Sequence, residues 1–187
     1  MGKIVVLAGS PRKNGNTDRL VEAFAKGAEK NNTVEVISVS DHNVKPCIGC
    51  NSCFERDENR CFQDDDMTEI YEKLNEADTL IIASPVYFYG ISAQLKAVID
   101  RLHTPMRNRF HIKKLGLILV GAAELPELFD AIITEYRLIL SFFKLEDAGM
   151  VLIRGAKEKG DVKDEDLNKA FILGESIKGL EAFRGSR

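Results

Sequence analysis

The stretch that decides the fold is Ile4-Val5-Val6-Leu7-Ala8-Gly9-Ser10-Pro11-Arg12-Lys13-Asn14-Gly15-Asn16-Thr17. Its first five residues are apolar and predict a buried strand. The remaining residues are mostly small, polar or cationic, and an amphipathic helix pattern follows them. A strand, a polar turn and a helix in this order place backbone N–H groups at the positive end of a helix dipole, which favours an anion. The turn is therefore a candidate seat for a phosphate group.

Short apolar runs alternate with helical patterns along the rest of the chain. The apolar runs predict strands at Ile4–Ala8, Val34–Val39, Thr79–Ser84, Leu115–Gly121 and Ala148–Ile153. The helical patterns lie at 17–31, 66–76, 91–102, 125–143 and 165–182. Successive βα units imply an α/β, doubly wound fold, with a five-stranded parallel sheet and helices on both faces. The expected strand order is 2-1-3-4-5, which is the common order for five strands.

A second unusual segment, Ser84-Pro85-Val86-Tyr87-Phe88-Tyr89-Gly90, follows the third predicted strand. In a sheet of order 2-1-3-4-5, ligands bind beyond the carboxyl ends of strands one and three, where the order reverses. Three consecutive aromatic residues between proline and glycine suit neither a helix nor a core segment. They predict a wall for a flat ring, close to the phosphate seat. Packing in the core or at a subunit contact is the alternative.

The first turn does not match three known phosphate motifs. A P-loop needs a lysine after its second glycine, where this chain has Asn16. A dinucleotide fingerprint needs three closely spaced glycines, and Gly9 and Gly15 are too far apart. A response regulator needs acidic residues at the end of the first strand, which is neutral here. What remains is the phosphate of a mononucleotide with Arg12 nearby, or a plain turn capped by Asn16 or Thr17.

Length and charge limit the function classes. A chain of 187 residues has room for a single domain, 1–187. Its formal net charge of −3 argues against a nucleic-acid partner. Because no apolar run approaches the length of a membrane span and the chain opens directly on a strand, we expect no membrane partner and a cytoplasmic location. The charged stretch Lys157–Asp166 is expected to be a surface connection.

All the cysteines lie in one long insert, residues 43–65, after the second predicted strand. They are Cys47, Cys50, Cys53 and Cys61. A loop this long in a compact domain is usually functional. A tight group of thiols in a reducing compartment indicates metal or redox chemistry.

Three motifs together resemble the NAD(P)H-dependent FMN reductases of the flavodoxin-like superfamily. Two of them are Gly9-Ser10-Pro11-Arg12-x-x-x-Asn16-Thr17 and Ser84-Pro85-Val86-Tyr87-Phe88. The third is Cys47-x2-Cys50-x2-Cys53-x7-Cys61 followed by Asp65-Asp66-Met67, which resembles the iron-sulfur flavoprotein branch of that family.

The resemblance implies FMN as cofactor and assigns residues to its two ends. The residues that would hold the phosphate are Ser10, Arg12, Asn16 and Thr17. Asn14 and Gly15 would shape the loop around it. Those that would flank the isoalloxazine and offer backbone groups to its polar edge are Pro85, Val86, Tyr87 and Phe88.

The four cysteines are candidate metal ligands, and three alternatives stay open for them. Their spacing is close to that of bacterial ferredoxins, with a longer last gap and no proline after Cys61, and suits a [4Fe–4S] cluster. Structural zinc more often uses two separated Cys-x2-Cys pairs. Free or reversibly oxidised thiols are the third alternative.

The expected function is an FMN-dependent oxidoreductase that takes hydride from NAD(P)H onto bound FMN and passes electrons to a small-molecule or protein acceptor. A cluster, where it exists, would act as a one-electron relay. No side-chain acid or base is required, so no catalytic residue is assigned. The alternatives are an FMN-binding electron-transfer flavoprotein without nicotinamide activity, and a non-enzymatic thiol-metal binding module. By analogy with the family, a homodimer or homotetramer is expected.

Overall fold

A computed structural model describes residues 1–179 of the chain. Its sheet is parallel throughout, in the order β2-β1-β3-β4-β5. The strands are β1 Gly2–Ala8, β2 Asn32–Ser38, β3 Thr79–Pro85, β4 Lys114–Val120 and β5 Glu146–Ile153. The doubly wound fold and the strand order predicted from the sequence are confirmed.

The helices connect these strands. They are α1 Asn16–Ala28, α2 Ser52–Glu55, α3 Met67–Asn75, α4 Ala93–Arg101, α5 Asp130–Phe143 and α6 Asp164–Ser176. The short α2 is a single turn inside the cysteine insert. In the part of the chain that the structure describes, no helix is long and apolar enough to cross a membrane.

The sheet separates two hydrophobic cores because side chains alternate between its faces. Ile4 and Val6 pack on one face with apolar residues of α1 and α6. Val5 and Leu7 pack on the other face with α3, α4 and α5. The inner strands are thus covered on both faces, as parallel strands require. Their carboxyl ends open on one edge of the sheet, where the loops after β1 and β3 lie.

The predicted helix 125–143 begins later than the sequence indicated. Leu125 is extended (φ −58°, ψ 131°), as residues before proline usually are. A 3-10 turn, Pro126–Phe129, follows, and α5 begins only at Asp130.

The predicted helix 165–182 ends at Ser176. Ile177 is extended and buried, and its carbonyl accepts a hydrogen bond from Nδ2 of Asn32 at 2.7 Å. This contact with the start of β2 draws the chain away from the helix axis. Positions 180–182 of the prediction lie outside the described residues.

Helices α1 and α6 cross at two glycines. A Cβ at Gly27 would collide with the carbonyl oxygen of Phe171, and a Cβ at Gly174 with that of Phe24. The backbones approach each other this closely because glycine has no side chain.

Replacing Gly174 by alanine is expected to lower the free energy of unfolding by about 1–3 kcal/mol, because the helices must separate to admit the methyl group. The loss should appear even though alanine favours a helix interior over glycine. Urea denaturation of the variant measures it. Asn168→Ala, at an exposed position of the same helix, is the control and should change stability by no more than about 0.5 kcal/mol. A Gly174→Ala protein as stable as the parent would contradict the tight crossing.

Candidate functional site

The turn between β1 and α1 is a tight loop that ends at the start of a helix. Ser10 is buried, and its hydroxyl accepts a hydrogen bond from the N–H of Arg12 at 3.2 Å. Asn14 is left-handed (φ 53°), and a Cβ at Gly15 would lie 3.0 Å from the carbonyl oxygen of Arg12. The N-cap residue of α1, Gly15, makes no side-chain capping hydrogen bond. Backbone N–H groups at the start of a helix bind anions.

The two cations of the loop are placed differently. Lys13 forms an ion pair with Asp41, in the turn that follows β2. Arg12 is exposed, and its Nη1 donates to the carbonyl of Lys157 at 3.4 Å, near the upper limit for a hydrogen bond. The Arg12 guanidinium can therefore exchange this contact for an anion at little cost.

The first turn of α1 also carries Thr17 and Asp18. Thr17 is buried, and its hydroxyl makes no hydrogen bond within the described residues. Burial raises the pKa of Asp18, while the backbone N–H groups of Asn14 and Gly15 act in the opposite direction.

The side chain of Asn16 is committed to the loop after β5. Its Nδ2 donates to the carbonyl of Glu158 at 2.8 Å, and its Oδ1 accepts from the N–H of Gly160 at 3.0 Å. Arg19, one turn later, donates to the carbonyl of Val162 at 3.0 Å. The sequence suggested only a surface connection here, but this connection clamps the start of α1. Asn16 thus positions the loop through its side chain.

Residues 87–90 form a hairpin turn under backbone strain. Tyr87 and Gly90 exchange both backbone hydrogen bonds, at 2.9 and 3.0 Å. The central residues, Phe88 and Tyr89, are left-handed (φ 48° and 66°). Bulky aromatic residues rarely adopt this conformation, which asparagine and glycine favour in such turns. Phe88 is 97% exposed and Tyr87 40% exposed. The turn holds aromatic rings outside the core, and strain of this kind is concentrated at functional sites.

The backbone of this segment is only partly available to a ligand. The N–H of Val86 donates to the carbonyl of Val120 at 2.8 Å, and the N–H of Tyr87 is used in the turn. In residues 1–179, the N–H groups of Phe88 and Tyr89 have no acceptor. Polar contacts that the sequence assigned to residues 85–88 are therefore available chiefly at the tip of the turn.

Two buried serines join the loop after β1 to the loop after β3. The hydroxyl of Ser92 donates to the carbonyl of Gly9 at 2.6 Å, and the N–H of Ser92 donates to Oγ of Ser84 at 3.0 Å. Ser92 also caps α4 by accepting from the N–H of Leu95 at 3.3 Å. A Cβ at Gly9 would lie only 2.7 Å from the Leu95 side chain. These contacts fix the separation of the phosphate seat and the aromatic turn.

Comparison with known proteins agrees with this geometry. The sequence profile of NADPH-dependent FMN reductase matches residues 2–129. An iron-sulfur flavoprotein of Methanocaldococcus jannaschii is 39% identical over 186 residues, covering 94% of this chain and 95% of that protein. An iron-sulfur flavoprotein of Archaeoglobus fulgidus is 35% identical over 185 residues, covering 97% and 80%. An NAD(P)H:quinone oxidoreductase of Methanothermobacter marburgensis shares the fold, with a TM-score of 0.74, 18% identity and 94% and 98% coverage.

The chain belongs to the NADPH-dependent FMN reductase family. It is an FMN-dependent oxidoreductase, and the family and branch that its motifs resemble are confirmed. The family match spans both loops and the cysteine insert. The loops also suit FMN chemically, because a helix N-terminus with a buried hydroxyl and an exposed guanidinium fits a phosphate, and exposed aromatic rings fit a planar ring system.

The cysteine insert of this FMN reductase is fixed at its neck. Oδ2 of Asp65 accepts from the N–H of Lys45 at 2.9 Å, and Oδ2 of Asp66 accepts from the N–H of Asn43 at 2.6 Å. Asp65 also pairs with Arg101, the last residue of α4, and their side chains are 0% and 3% exposed. The two ends of the insert are thus bound to each other and to a buried cation.

The pair is charged at neutral pH. Burial would raise the pKa of Asp65, but the hydrogen bonds from Arg101 and Lys45 outweigh it and hold that pKa below its usual value. Burial would likewise lower the pKa of Arg101, but the hydrogen bond to Asp65 and the charges of Asp65 and Cys61 raise it. Because the Asp65 pKa is depressed, its stabilising contribution is present above about pH 4 and is lost as the pH falls through the folded-state value.

The tip of the insert carries reactive thiols in tight turns. Gly49 and Asn51 are left-handed (φ 67° and 59°). The N–H of Gly49 donates to Sγ of Cys47 at 3.5 Å. Sγ of Cys50 lies 3.3 Å from Oγ of Ser52, whose hydroxyl and N–H lower the pKa of Cys50. A lowered pKa favours the thiolate, the form that binds metals.

The donor set of the insert suits an iron–sulfur cluster. All four thiols are free. Over residues 1–179, no group of three His, Cys, Asp or Glu side chains is gathered as a metal site. The four sulfurs must therefore converge when a metal centre binds, a coupling of binding to folding that is common for such sites.

The tip lies beside the segment that follows α4. The ring of Phe54 is 6.3 Å from that of His103, centroid to centroid. The turn Asp57–Asn59 packs beside Pro105–Arg109. Because Ser92 at the other end of α4 meets the loops after β1 and β3, this helix lies between the cysteines and those loops within one chain.

Ser92→Ala is expected to lower the free energy of unfolding by about 1–3 kcal/mol, because the buried carbonyl of Gly9 loses its donor. It should also weaken FMN binding, since the two loops lose their fixed separation. Urea unfolding of the apoprotein and fluorescence titration with FMN measure the two effects.

Ser176→Ala is the matched control, because that exposed hydroxyl bonds only the nearby carbonyl of Leu173. It should leave both quantities near the parent values. A Ser92→Ala protein that loses stability but binds FMN as tightly as the parent would refute the serine link as a support of the site.

Proposed function

We propose that this protein takes hydride from NAD(P)H onto FMN bound between the loops after β1 and β3, and passes electrons to a small-molecule or protein acceptor. The observation that supports the proposal is the Ser84–Ser92–Gly9 contact, which joins the loop after β1 to the loop after β3. FMN, when bound, supplies the redox chemistry, because it exchanges electrons singly or in pairs. The side chains described here bind and orient the reactants.

The phosphate end is proposed to lie at the start of α1. Ser10 and Thr17 contribute hydroxyls, Arg12 contributes a guanidinium, and the first turn of α1 contributes backbone N–H groups. Asn14 and Gly15 shape the loop, and the side chain of Asn16 anchors it to the connection after β5. Hydrogen bonds from charged donors to an anion are about twice as strong as neutral ones, so Arg12 is expected to dominate the side-chain contribution.

The ring end is proposed to lie against the aromatic turn. Pro85 and Val86 bring the chain from β3 to the turn, and Tyr87 and Phe88 supply ring surface. The free N–H groups of Phe88 and Tyr89 can donate to a polar ring edge. No side-chain acid or base is assigned, since hydride transfer to a flavin needs position and exclusion of water rather than a protein proton donor.

The proposal extends to a [4Fe–4S] cluster held by Cys47, Cys50, Cys53 and Cys61. Support comes from the four free thiols, the lowered pKa of Cys50 and the relatives named as iron-sulfur flavoproteins. Zinc and reversibly oxidised thiols are the competing occupants. A cytoplasmic homodimer or homotetramer is the assembly that we expect.

Arg12→Ala is expected to weaken FMN binding by about 10–100-fold, the loss of one hydrogen bond between a cation and a phosphate. Riboflavin lacks the phosphate, so the parent and the variant should bind it equally. Isothermal titration calorimetry with both ligands makes the comparison. Lys159→Ala, an exposed cation on the neighbouring connection, is the control. If riboflavin and FMN lose affinity equally in Arg12→Ala, the phosphate does not lie at this loop.

A second candidate function is favoured by the names of the two relatives, which mention iron, sulfur and flavin but no nicotinamide. The protein would then be an electron-transfer flavoprotein reduced by a partner protein.

The experiment that separates the two functions begins with anaerobic purification, an absorption spectrum and an iron assay. Stopped-flow mixing with NADH and with NADPH follows. Our proposal predicts rapid bleaching of the flavin by at least one of them. Flavin that stays oxidised with both, yet is reduced by dithionite, would establish the second candidate instead.

A further inference from the structure

Arg101 is a buried cation whose polar side-chain contacts lie at the neck of the cysteine insert. Its Nη1 pairs with Asp65 and also donates to the carbonyl of Lys45 at 3.2 Å. The hydroxyl of Tyr71 donates to the Arg101 carbonyl at 2.7 Å, which fixes this end of α4 against α3. One α4 residue therefore binds both ends of the insert, Lys45 before the cysteines and Asp65 after them.

A buried ion pair needs an explanation beyond folding stability. Removing two charges from water costs about as much as their attraction returns, so well-packed apolar residues would stabilise the fold as well. In addition, Nε of Arg101 is buried and has no acceptor among residues 1–179. Unpartnered buried donors are rare, and each one calls for an explanation. The orphan N–H lies on the residue that already binds the insert.

The cysteines are close in sequence to the neck that Arg101 binds. Cys47 follows Lys45 by two residues, and Cys61 precedes Asp65 by four residues. Cys53 and Cys61 are half-buried, whereas Cys47 and Cys50 are exposed. A cation at this position reduces the cost of gathering four thiolates.

We propose that Arg101 is a positioning residue for the metal centre: it closes the neck of the insert through Asp65 and Lys45, and it places a positive charge beside the converging thiolates. The inference rests on the proposed cluster. Partners outside the ligand shell typically change metal retention by about 10–100-fold. Local charge and hydrogen bonds to sulfur also set the reduction potential of a cluster.

The test compares five proteins reconstituted anaerobically with iron and sulfide: the parent, Arg101→Met, Arg101→Lys, Asp65→Asn and Lys96→Gln. Lys96 is the control, because it lies on α4 in an exposed ion pair with Asp100, away from the insert. Iron content, the rate of iron transfer to a chelator and the midpoint potential from a spectroscopic redox titration are measured. Circular dichroism and FMN binding establish that each variant is folded.

Arg101→Met and Asp65→Asn should both lose iron about 10–100-fold faster than the parent. Arg101→Lys should be intermediate, since it keeps the charge but not the planar donor group. The midpoint potentials distinguish a positioning residue that also supplies charge from a residue with a purely structural role. Loss of the cation should lower the midpoint potential, and loss of the carboxylate should raise it, while Lys96→Gln leaves both readouts unchanged.

Limited trypsin digestion of the apoproteins tests the neck without any cluster. Arg56 and Arg60 are exposed cleavage sites within the insert, and they should be cut faster in Arg101→Met and Asp65→Asn than in Lys96→Gln.

If Arg101→Met does not fold, iron release from Arg101→Lys and Asp65→Asn decides whether the inference holds. Parent-like iron release and potential in the folded variants would overturn the inference while the cluster stands. A parent protein that takes up no iron would overturn the cluster itself, and this inference with it.

Discussion

The hydrogen bond from the Ser92 hydroxyl to the Gly9 carbonyl fixes the relative position of the loops after β1 and β3. It joins α4 to the end of β1, in a place where only glycine leaves enough room. The N–H of the same serine bonds Ser84 at the end of β3. Parallel strands leave their carboxyl ends open, and here two hydroxyls lock two of those ends together. The loops that leave them can then carry exposed and strained residues without losing their relative position.

Helix α4 has a buried polar residue near each end. Ser92 precedes it at the side of the loops after β1 and β3, and Arg101 ends it at the cysteine side. Each makes hydrogen bonds to chain segments far away in sequence. The helix therefore connects these loops with the neck of the cysteine insert.

Local strain and exposure mark the same loops. Phe88 and Tyr89 hold a left-handed conformation that costs free energy, and neither ring is buried in exchange. The core of this protein does not need these rings, since the apolar residues of the sheet and helices pack without them. Backbone strain of this kind is concentrated at functional sites.

The sequence alone predicts the fold because long apolar runs and helical periods are local patterns. These patterns do not contain the strand order, which was expected only because 2-1-3-4-5 is the common order for five parallel strands. The phosphate loop and the cysteine insert are also visible in sequence, since their residues are contiguous. Helix ends are predicted less well: Ile177 leaves the helical path because of a contact with Asn32, which is distant in sequence.

The roles of Ser92, Asn16 and Arg101 could not be predicted in the same way. A serine before a helix indicates a cap, and Ser92 is one, but its bond to Gly9 spans most of the first half of the chain. The Asn16 side chain suits a phosphate as well as a loop carbonyl, and its contacts with the connection after β5 join residues that are far apart in sequence. Arg101 looks like any basic residue at a helix end until Asp65 and Lys45 are seen beside it.

The most direct test of the account is phosphorus-31 NMR of the protein reconstituted with FMN, recorded at a series of pH values. A free phosphate monoester exchanges its second proton near about pH 6. A phosphate held by the first turn of α1 and Arg12 should stay fully ionised, so its chemical shift should not change from about pH 5 to pH 8. A bound resonance that titrates like free FMN would contradict the central claim that this helix start holds the anionic end of the cofactor.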